Sequence, residues 1–562
     1  MIKNFAYQGP SSTTDPGIIY KLYDMTRGTV GVDVETISLD DRTPLGISFS
    51  INASEAFYFP INSPMLPWHI LLNPDMEKIF HNAAFDIKVI KNSRGVEVTN
   101  YKDSMIAALL VGYPREKISL ADLSFRLFGS TLTQISDLLG TGTTQLTMLD
   151  IPEEAVAKKC CQDTIYTLRL WEVLKPYVPM KALDLEMRAM PVLLDMEARG
   201  MRVDEKVLEL HIAKTEKDVK YYRSLATGWG FNPGSSKQLA AIIEGQGMVV
   251  PYNRKTHNPK LPKETLQTYY ADVPLVQLAL LYRESNSTLT NLVAIRDKHL
   301  VHGRVLGRIH QNGADSGRVS TSKPNRQNLT PYLRDIYIPE DGEEMEEWDL
   351  NQIELRVLAF QAQDPVMMAT FKTKGGDVHN QTSLAIFGDT APHHRRIVKN
   401  INYTVVYDGD EHTLWQRYGI PEKKGKEFIN SYFRLYKGVK VWIEATRKFA
   451  HANGYTETLL GRRRYHEDIS NKWGHARRKA ERELINHAIQ GTAAEILKEL
   501  IWRCKKEFQV NTAHDSIIFS KKVGHELDYF ALGGLAPFRT PATIKRGPNW
   551  KDLKEIGIYD WL

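Results

Sequence analysis

Apolar positions recur with period two near the start of the chain and with period near 3.6 further on, and the change of period divides it. Val30-Gly31-Val32-Asp33-Val34-Glu35 and Ile47-Ser48-Phe49-Ser50-Ile51 alternate, which predicts strands. Helical spacing follows over Ser104–Leu110 and Asp163–Leu174. Strands interleaved with helices predict an α/β unit over residues 1–180, and Pro176 and Pro179 punctuate its end. Beyond them, Leu183–Arg199 and Lys206–Gly228 carry long, charge-rich helical patterns. Asn232-Pro233-Gly234-Ser235-Ser236 supplies a turn and a cap before the next helix. Residues 190–300 therefore read as mostly helical. Strands are expected again at Arg304–Gln311, Glu346–Asp349 and within Val510–Phe519. Helices are expected at Gln352–Gln363, His393–Tyr407, Glu422–Tyr436 and His475–Phe508.

Composition narrows the class. The chain has 562 residues, 42% hydrophobic and 25% charged, which suits a globular protein of about three or four domains. No stretch approaches the roughly 20 uninterrupted apolar residues of a membrane span. Met1-Ile2-Lys3-Asn4-Phe5-Ala6-Tyr7 offers no long apolar core for an export signal. Three cysteines, two of them adjacent, cannot build a disulfide framework, so a reducing cytoplasm is the expected location. A net charge of +6 permits nucleic-acid binding without demanding it. Basic clusters at His393-His394-Arg395-Arg396, Gly461-Arg462-Arg463-Arg464-Tyr465 and Arg477-Arg478-Lys479 suit a phosphate-lined groove, or equally a solvated helix face.

The chemistry lies in carboxylates. Asp349 ends an apolar segment and opens Asp349-Leu350-Asn351-Gln352-Ile353-Glu354-Leu355-Arg356; Asp515 follows His514 between β-prone residues, as at a hairpin tip. Alone, the first reads as a helix N-cap and the second as a turn. Between them, Arg395, Lys399, Tyr403 and Tyr407 recur every four residues and share one helix face. Two separated carboxylates and a cationic helix are what metal-assisted phosphoryl transfer needs. Near the start, Asp33 and Glu35 share one face of a strand, and Asp86 and Asp163 add two more acids; such a set can bind two divalent ions.

In this order the three later segments resemble the polymerase motifs of family A DNA polymerases, the DNA polymerase I family, from about Leu183 to Leu562. The resemblance implies a right-hand polymerase: thumb over 181–300, palm over 301–355 and 481–562, fingers over 356–480. Asp349, Asp515 and the Leu350 carbonyl would hold two Mg²⁺ ions, with Mn²⁺ as a substitute. Lys399, Arg395 and His379, the last in Asp377-Val378-His379, would meet the triphosphate. Tyr403, Gln352 and Ile353 would line the nucleotide site, and Glu354 with Tyr407 would bar a ribose 2′-hydroxyl. Within Gly317–Leu329, Arg318, Asn325 and Asn328 would follow the DNA minor groove. Asn486 and Gln490, with His514, would contact the primer end. Gly461–Tyr465 resembles another fingers segment.

Residues 1–180 resemble the ribonuclease-H-like 3′–5′ proofreading exonucleases of these enzymes, with Asp33, Glu35, Asp86 and Asp163 as metal ligands. That resemblance implies a DNA-directed DNA polymerase acting in replication on primer–template DNA and dNTPs. It is bacteriophage-like in its two-part layout with no 5′-nuclease segment ahead, and is expected to be monomeric. Helicase and single-strand-binding protein are further partners to look for. The alternatives are a catalytically impaired DNA-binding relative and a single-subunit RNA polymerase; Glu354 and the exonuclease segment argue against the latter, and Asp349, Asp515, Lys399 and Arg395 against the former. Four positions depart from the family pattern: Ser516 stands for a Glu, Thr404 and Asp408 for glycines, and Lys159 for the Tyr that orients the attacking water. A lysine amine could orient water there if its pKa were lowered; otherwise weak exonuclease activity is expected.

Overall fold

The computed structural model describes residues 25–560 except 39, 40, 141–145, 254, 255 and 506. The Met1–Tyr7 segment lies outside the described residues. The described chain forms two compact units.

The first unit runs to Leu194 and includes Asn453–Glu467. Its sheet has strands β1 (Gly28–Thr36), β2 (Pro44–Asn52), β3 (Glu55–Pro60), β4 (Met76–Phe80) and β5 (Tyr101–Asp103), in the order β3-β2-β1-β4-β5. The β1–β4 and β4–β5 pairs are parallel and the others antiparallel. Alternation along β1 buries Val30, Val32 and Val34. Helix α1 (Ala83–Arg94) follows β4, and α2 (Glu153–Leu174) packs across β1, β2 and β3. The approach of α2 depends on Gly31: a methyl there would lie 2.7 Å from the Thr164 carbonyl oxygen. That close contact brings the α2 acids to β1.

Two expectations change here. The unit does not end at the prolines, because Leu183, Met187 and Met190 of the helix Met180–Arg199 enter its core. Nor do residues 356–480 form one piece, since Asn453–Glu467 groups with the first unit. Its short hairpin, Tyr455–Glu457 with Arg463–Tyr465, carries Arg462 buried in an ion pair with Glu186. Arg462, expected in a basic groove, is thus satisfied internally.

The second unit holds a five-stranded antiparallel sheet of β6 (Glu343–Leu350), β7 (Gln509–Ala513), β8 (Ser516–Lys522), β9 (Ala542–Gly547) and β10 (Lys554–Tyr559), ordered β7-β8-β6-β9-β10. Its central strand buries Trp348, whose ring lies 4.9 Å from that of Phe519. Long helices α3 (Glu205–Gly228) and α4 (Pro274–Ala294) pack on each other. Helices α5 (Ile353–Ala362), α6 (Val378–Phe387), α7 (Pro392–Val406) and α8 (Gly474–Arg503) surround the end of β6 that carries Asp349, with α5 packed on α8. α8 stops at Arg503 rather than Phe508, because Gln509 turns its amide back onto the Ile501 and Cys504 carbonyls and caps the helix. The expected strand Arg304–Gln311 is split into Arg304–Val305 and Arg308–His310 around Gly307, whose φ is +67°. Among the described residues no helix is long and apolar enough to cross a membrane.

Candidate active sites

Strand pairing brings Asp349 and Asp515 together. Asp349 lies opposite Ser516 on β8 and opposite Thr543 on β9. The β7–β8 hairpin closes through His514-Asp515, His514 taking φ +55°, a left-handed conformation suited to a two-residue hairpin. The Leu350 N–H donates to the Asp515 carbonyl at 3.1 Å and ties the turn to the strand end. Burial pushes both carboxyls above the usual carboxylate range. Lys545 opposes this at Asp349, and Arg318 and His514 oppose it at Asp515. Both acids open into a cleft of about 450 Å³, shared with Gln352, Glu354, His379, Arg395, Lys399 and Tyr403.

The cationic helix meets the expectation in part. Arg395 is held by Asp377, the α6 N-cap, at 2.6 Å and by Asn380 at 2.9 Å, which fixes its guanidinium at the cleft wall. Lys399 is exposed, its Nζ 5.9 Å from the centre of the Tyr403 ring. Tyr403 packs 6.0 Å from the ring of His379 and 6.3 Å from that of Tyr407. His379 is only 3% exposed and 2.8 Å from Asn402. Burial brings its pKa down to about 4, so it is neutral at pH 7.

Glu354 is buried and accepts the Tyr407 hydroxyl at 2.9 Å, as the resemblance implies. Its other oxygen takes Arg318. Arg318, carried over as a minor-groove residue, thus stands among the acids, 3.4 Å from Asp515. Asn325 and Asn328 are exposed, but the Asn325 side-chain Oδ1 also accepts the backbone N–H groups of Gln327 and Asn328 and so shapes its own loop. Gln490 bonds to Tyr407. Asn486 and Gln352 each keep a buried side-chain oxygen without a protein partner. His514 is exposed at the hairpin tip, and Ile353 is buried at the start of α5.

Lys545 was missed. It lies opposite Glu347 in the β6–β9 pairing and its Nζ is 3.3 Å from Glu347 and 3.4 Å from Asp349. Asp408 takes a left-handed φ of +49° and pairs with Arg447 at 2.7 Å, while Thr404 is buried against Gly409. Neither departure lines the cleft.

In the first unit, Asp33 and Glu35 on β1 meet Asp86 of α1 and Asp163 of α2. Asp86 accepts the Val34 N–H at 3.0 Å. Burial, then the charges of Glu35 and Asp163, push Asp33 up to about 8, and burial raises the other three acids as well. Lys159 is buried, its Nζ 2.7 Å from both Glu35 and Asp163. Burial works against its charge, yet Asp163, Glu35 and Asp33 hold it well above the usual lysine range. Its two short ion pairs favour the ammonium over the free amine that water orientation would need. Cys160, also missed, donates its buried thiol to Asp33 at 3.3 Å.

The second unit thus carries two acids at adjacent strand ends near a cationic helix, and the first unit carries four acids on and around a mixed sheet. Residues 201–526 match the model of DNA polymerase family A, and residues 13–179 that of the 3′-5′ exonuclease. The chain belongs to DNA polymerase family A. It is 32% identical over 499 residues to DNA polymerase I of Chloroflexus aurantiacus, covering 81% of this chain and 52% of that protein. To DNA polymerase I of Pseudomonas aeruginosa it is 30% identical over 515 residues, 84% of this chain and 56% of that one. The chain thus spans about half the length of these relatives. The POL domain of Pol1 from M. smegmatis, solved with DNA primer-template and dNTP, shares the fold: TM-score 0.83 at 22% identity, over 95% of this chain and 98% of that one.

Proposed function

We propose that this chain is a template-directed DNA polymerase that adds deoxynucleotides to a primer 3′ end, with a 3′–5′ exonuclease in its first unit. The observation that carries the reading is the cleft in which Asp349 and Asp515, fixed by strand pairing, face Arg395, Lys399 and Tyr403 of one helix. The primer 3′-oxygen attacks the α-phosphorus of the dNTP, its proton passes to solvent, and the bond to the departing pyrophosphate breaks. Asp349, Asp515 and the Leu350 carbonyl form an all-oxygen donor set, which fits Mg²⁺ or Mn²⁺. When bound there, these ions supply positive charge at the attacking and leaving oxygens.

The chain's own groups do the rest. Lys399 and Arg395 bind the triphosphate and offset charge on the leaving group. Tyr403 packs beside the sugar and base. Glu354 and Tyr407 close the space of a 2′-hydroxyl, which favours deoxynucleotides over ribonucleotides. Asn486, Gln490, Arg318, Asn325, Asn328 and His514 lie along the proposed path of the primer–template. In the first unit, the cluster of Asp33, Glu35, Asp86 and Asp163 would hold divalent metal, which would supply positive charge for phosphodiester hydrolysis. Primer extension with Mg²⁺ and each dNTP or NTP, beside a control without nucleotides, tests both activities. Failure to extend a matched primer overturns the polymerase reading.

A further inference from the structure

The four-acid cluster of the first unit already contains a cation of its own. Lys159 sits on α2 one helical turn before Asp163 and reaches across to Glu35 on β1, 2.7 Å from each carboxylate. Its side chain is 7% exposed and those of its partners 8% and 16%, so bulk water screens the pair little. A divalent ion bridging the same two oxygens would stand about 2.0–2.1 Å from each. It would meet the ammonium head-on, like charge against like, over the same pair of ligands. Asp33, Glu35 and the Cys160 sulfur keep ligand atoms within 4.8 Å of one another, a set that does not include Asp163. The Cys160 sulfur lies 3.3 Å from the Asp33 carboxylate, at the edge of the same pair.

We infer that the Lys159 ammonium takes the place of one of two divalent ions, so that the exonuclease cluster of this chain binds a single ion, between Asp33 and Glu35. The inference rests on the exonuclease reading and deepens it. Lys159 is a positioning residue: it supplies fixed positive charge on the Asp163 side, at the position where the family pattern has a tyrosine. Proofreading by this chain then depends on the concentration of free metal to the first power rather than the second.

The test counts ions in the full chain carrying Asp349→Asn and Asp515→Asn, which removes both carboxylate charges of the other site. Mn²⁺ alone is titrated and bound ions are counted by electron paramagnetic resonance; two Mn²⁺ ions roughly 3.5–4 Å apart also couple and broaden the spectrum. The expected result is one uncoupled ion with Lys159 present, one in Lys159→Arg, and two coupled ions in Lys159→Met and Lys159→Tyr. Two ions with Lys159 in place overturn the inference. So does an unchanged count in both Lys159→Met and Lys159→Tyr, or no bound ion at all. If one neutral variant fails to fold, the other and the count with Lys159 present still decide. Asp33→Ala with Glu35→Ala separates the two levels: if that double variant binds as many ions as its parent and still trims primers, the exonuclease site lies elsewhere.

Discussion

Removing Glu354 is expected to erode sugar discrimination by an amount the structure sets. A ribose 2′-hydroxyl entering this site has to displace the Tyr407 hydroxyl from the buried Glu354 carboxylate, a 2.9 Å bond. A hydrogen bond to a charged group contributes about 1.5–3 kcal/mol. At 1.36 kcal/mol per decade that is roughly ten- to 150-fold in rate. Glu354→Ala should therefore lower the deoxy-to-ribo ratio of kcat/KM by roughly ten- to 150-fold. Glu354→Gln keeps the bulk and a neutral acceptor, about half as strong, so the loss is roughly four- to tenfold. Glu354→Ala also leaves the Arg318 guanidinium with Asp515, 3.4 Å away, as its remaining acid. That lowers the rate for both sugars, and the ratio cancels it. Steady-state kinetics with matched dNTP and NTP on one primer–template measures the ratio in both variants, in Tyr407→Phe and in Glu354→Ala with Tyr407→Phe. The double variant should lose no more than Glu354→Ala alone. An unchanged ratio in Glu354→Ala, or losses that simply add, refutes the barrier.

Asp349→Asn or Asp515→Asn should cost several kcal/mol of transition-state stabilisation, about a thousandfold in nucleotide addition, while primer degradation continues; near-normal extension would remove the metal assignment. Asp33→Ala with Glu35→Ala should abolish excision of a mismatched primer end while extension persists, read on a single labelled primer. Burial holds the His81 pKa down to about 4, against about 6.5 unfolded, so the folded state resists its protonation. The stability this confers is full above pH 6.5 and falls by about 3 kcal/mol as pH drops to 4; urea unfolding of the first unit should show that slope, and His81→Asn should flatten it. Tyr403 keeps its hydroxyl protonated, burial pushing its pKa up to about 12, and so can offer triphosphate oxygens the bond that a missing 3′-hydroxyl would make. Tyr403→Phe should then raise discrimination against dideoxynucleotides by about ten- to a hundredfold; equal discrimination in both proteins would mean that Tyr403 does not face the sugar.

What could be read from the chain was local. Alternation exposed β1 and β2, and four-residue spacing placed Arg395, Lys399 and Tyr403 on one face. Alone, Asp349 reads as a helix cap and Asp515 as a turn; they stood out only through the resemblance of the motifs around them. What stayed hidden was pairing between distant segments. Lys545 sits in an unremarkable strand, and its role depends on β9 lying beside β6, a partnership between residues 196 apart. Arg318 read as a minor-groove arginine because its segment resembles the one that tracks the template–primer; only folding brings it to Glu354, 36 residues away. The grouping of Asn453–Glu467 with the first unit was likewise invisible, since Arg462 finds Glu186 across 276 residues. A basic run does not announce whether it faces solvent or a buried acid.

Ser516 shows how a local departure changes meaning once strands are paired. Read along the chain, it replaces a glutamate beside Asp515, and a carboxylate is lost. Across the sheet, Ser516 faces Asp349, and its hydroxyl donates to Glu347 at 3.0 Å. Glu347 precedes Asp349 by two residues and so lies on the same face of β6. A carboxylate from the neighbouring strand thus stands beside Asp349, and the serine anchors it. Adding Glu347 so near Asp349 brings two like charges together, and Lys545, bonded to both, offsets them from β9. Ser516, Glu347 and Lys545 therefore act as one unit spread over three strands. Replacing Lys545 alone would leave two neighbouring carboxylates without their counter-charge.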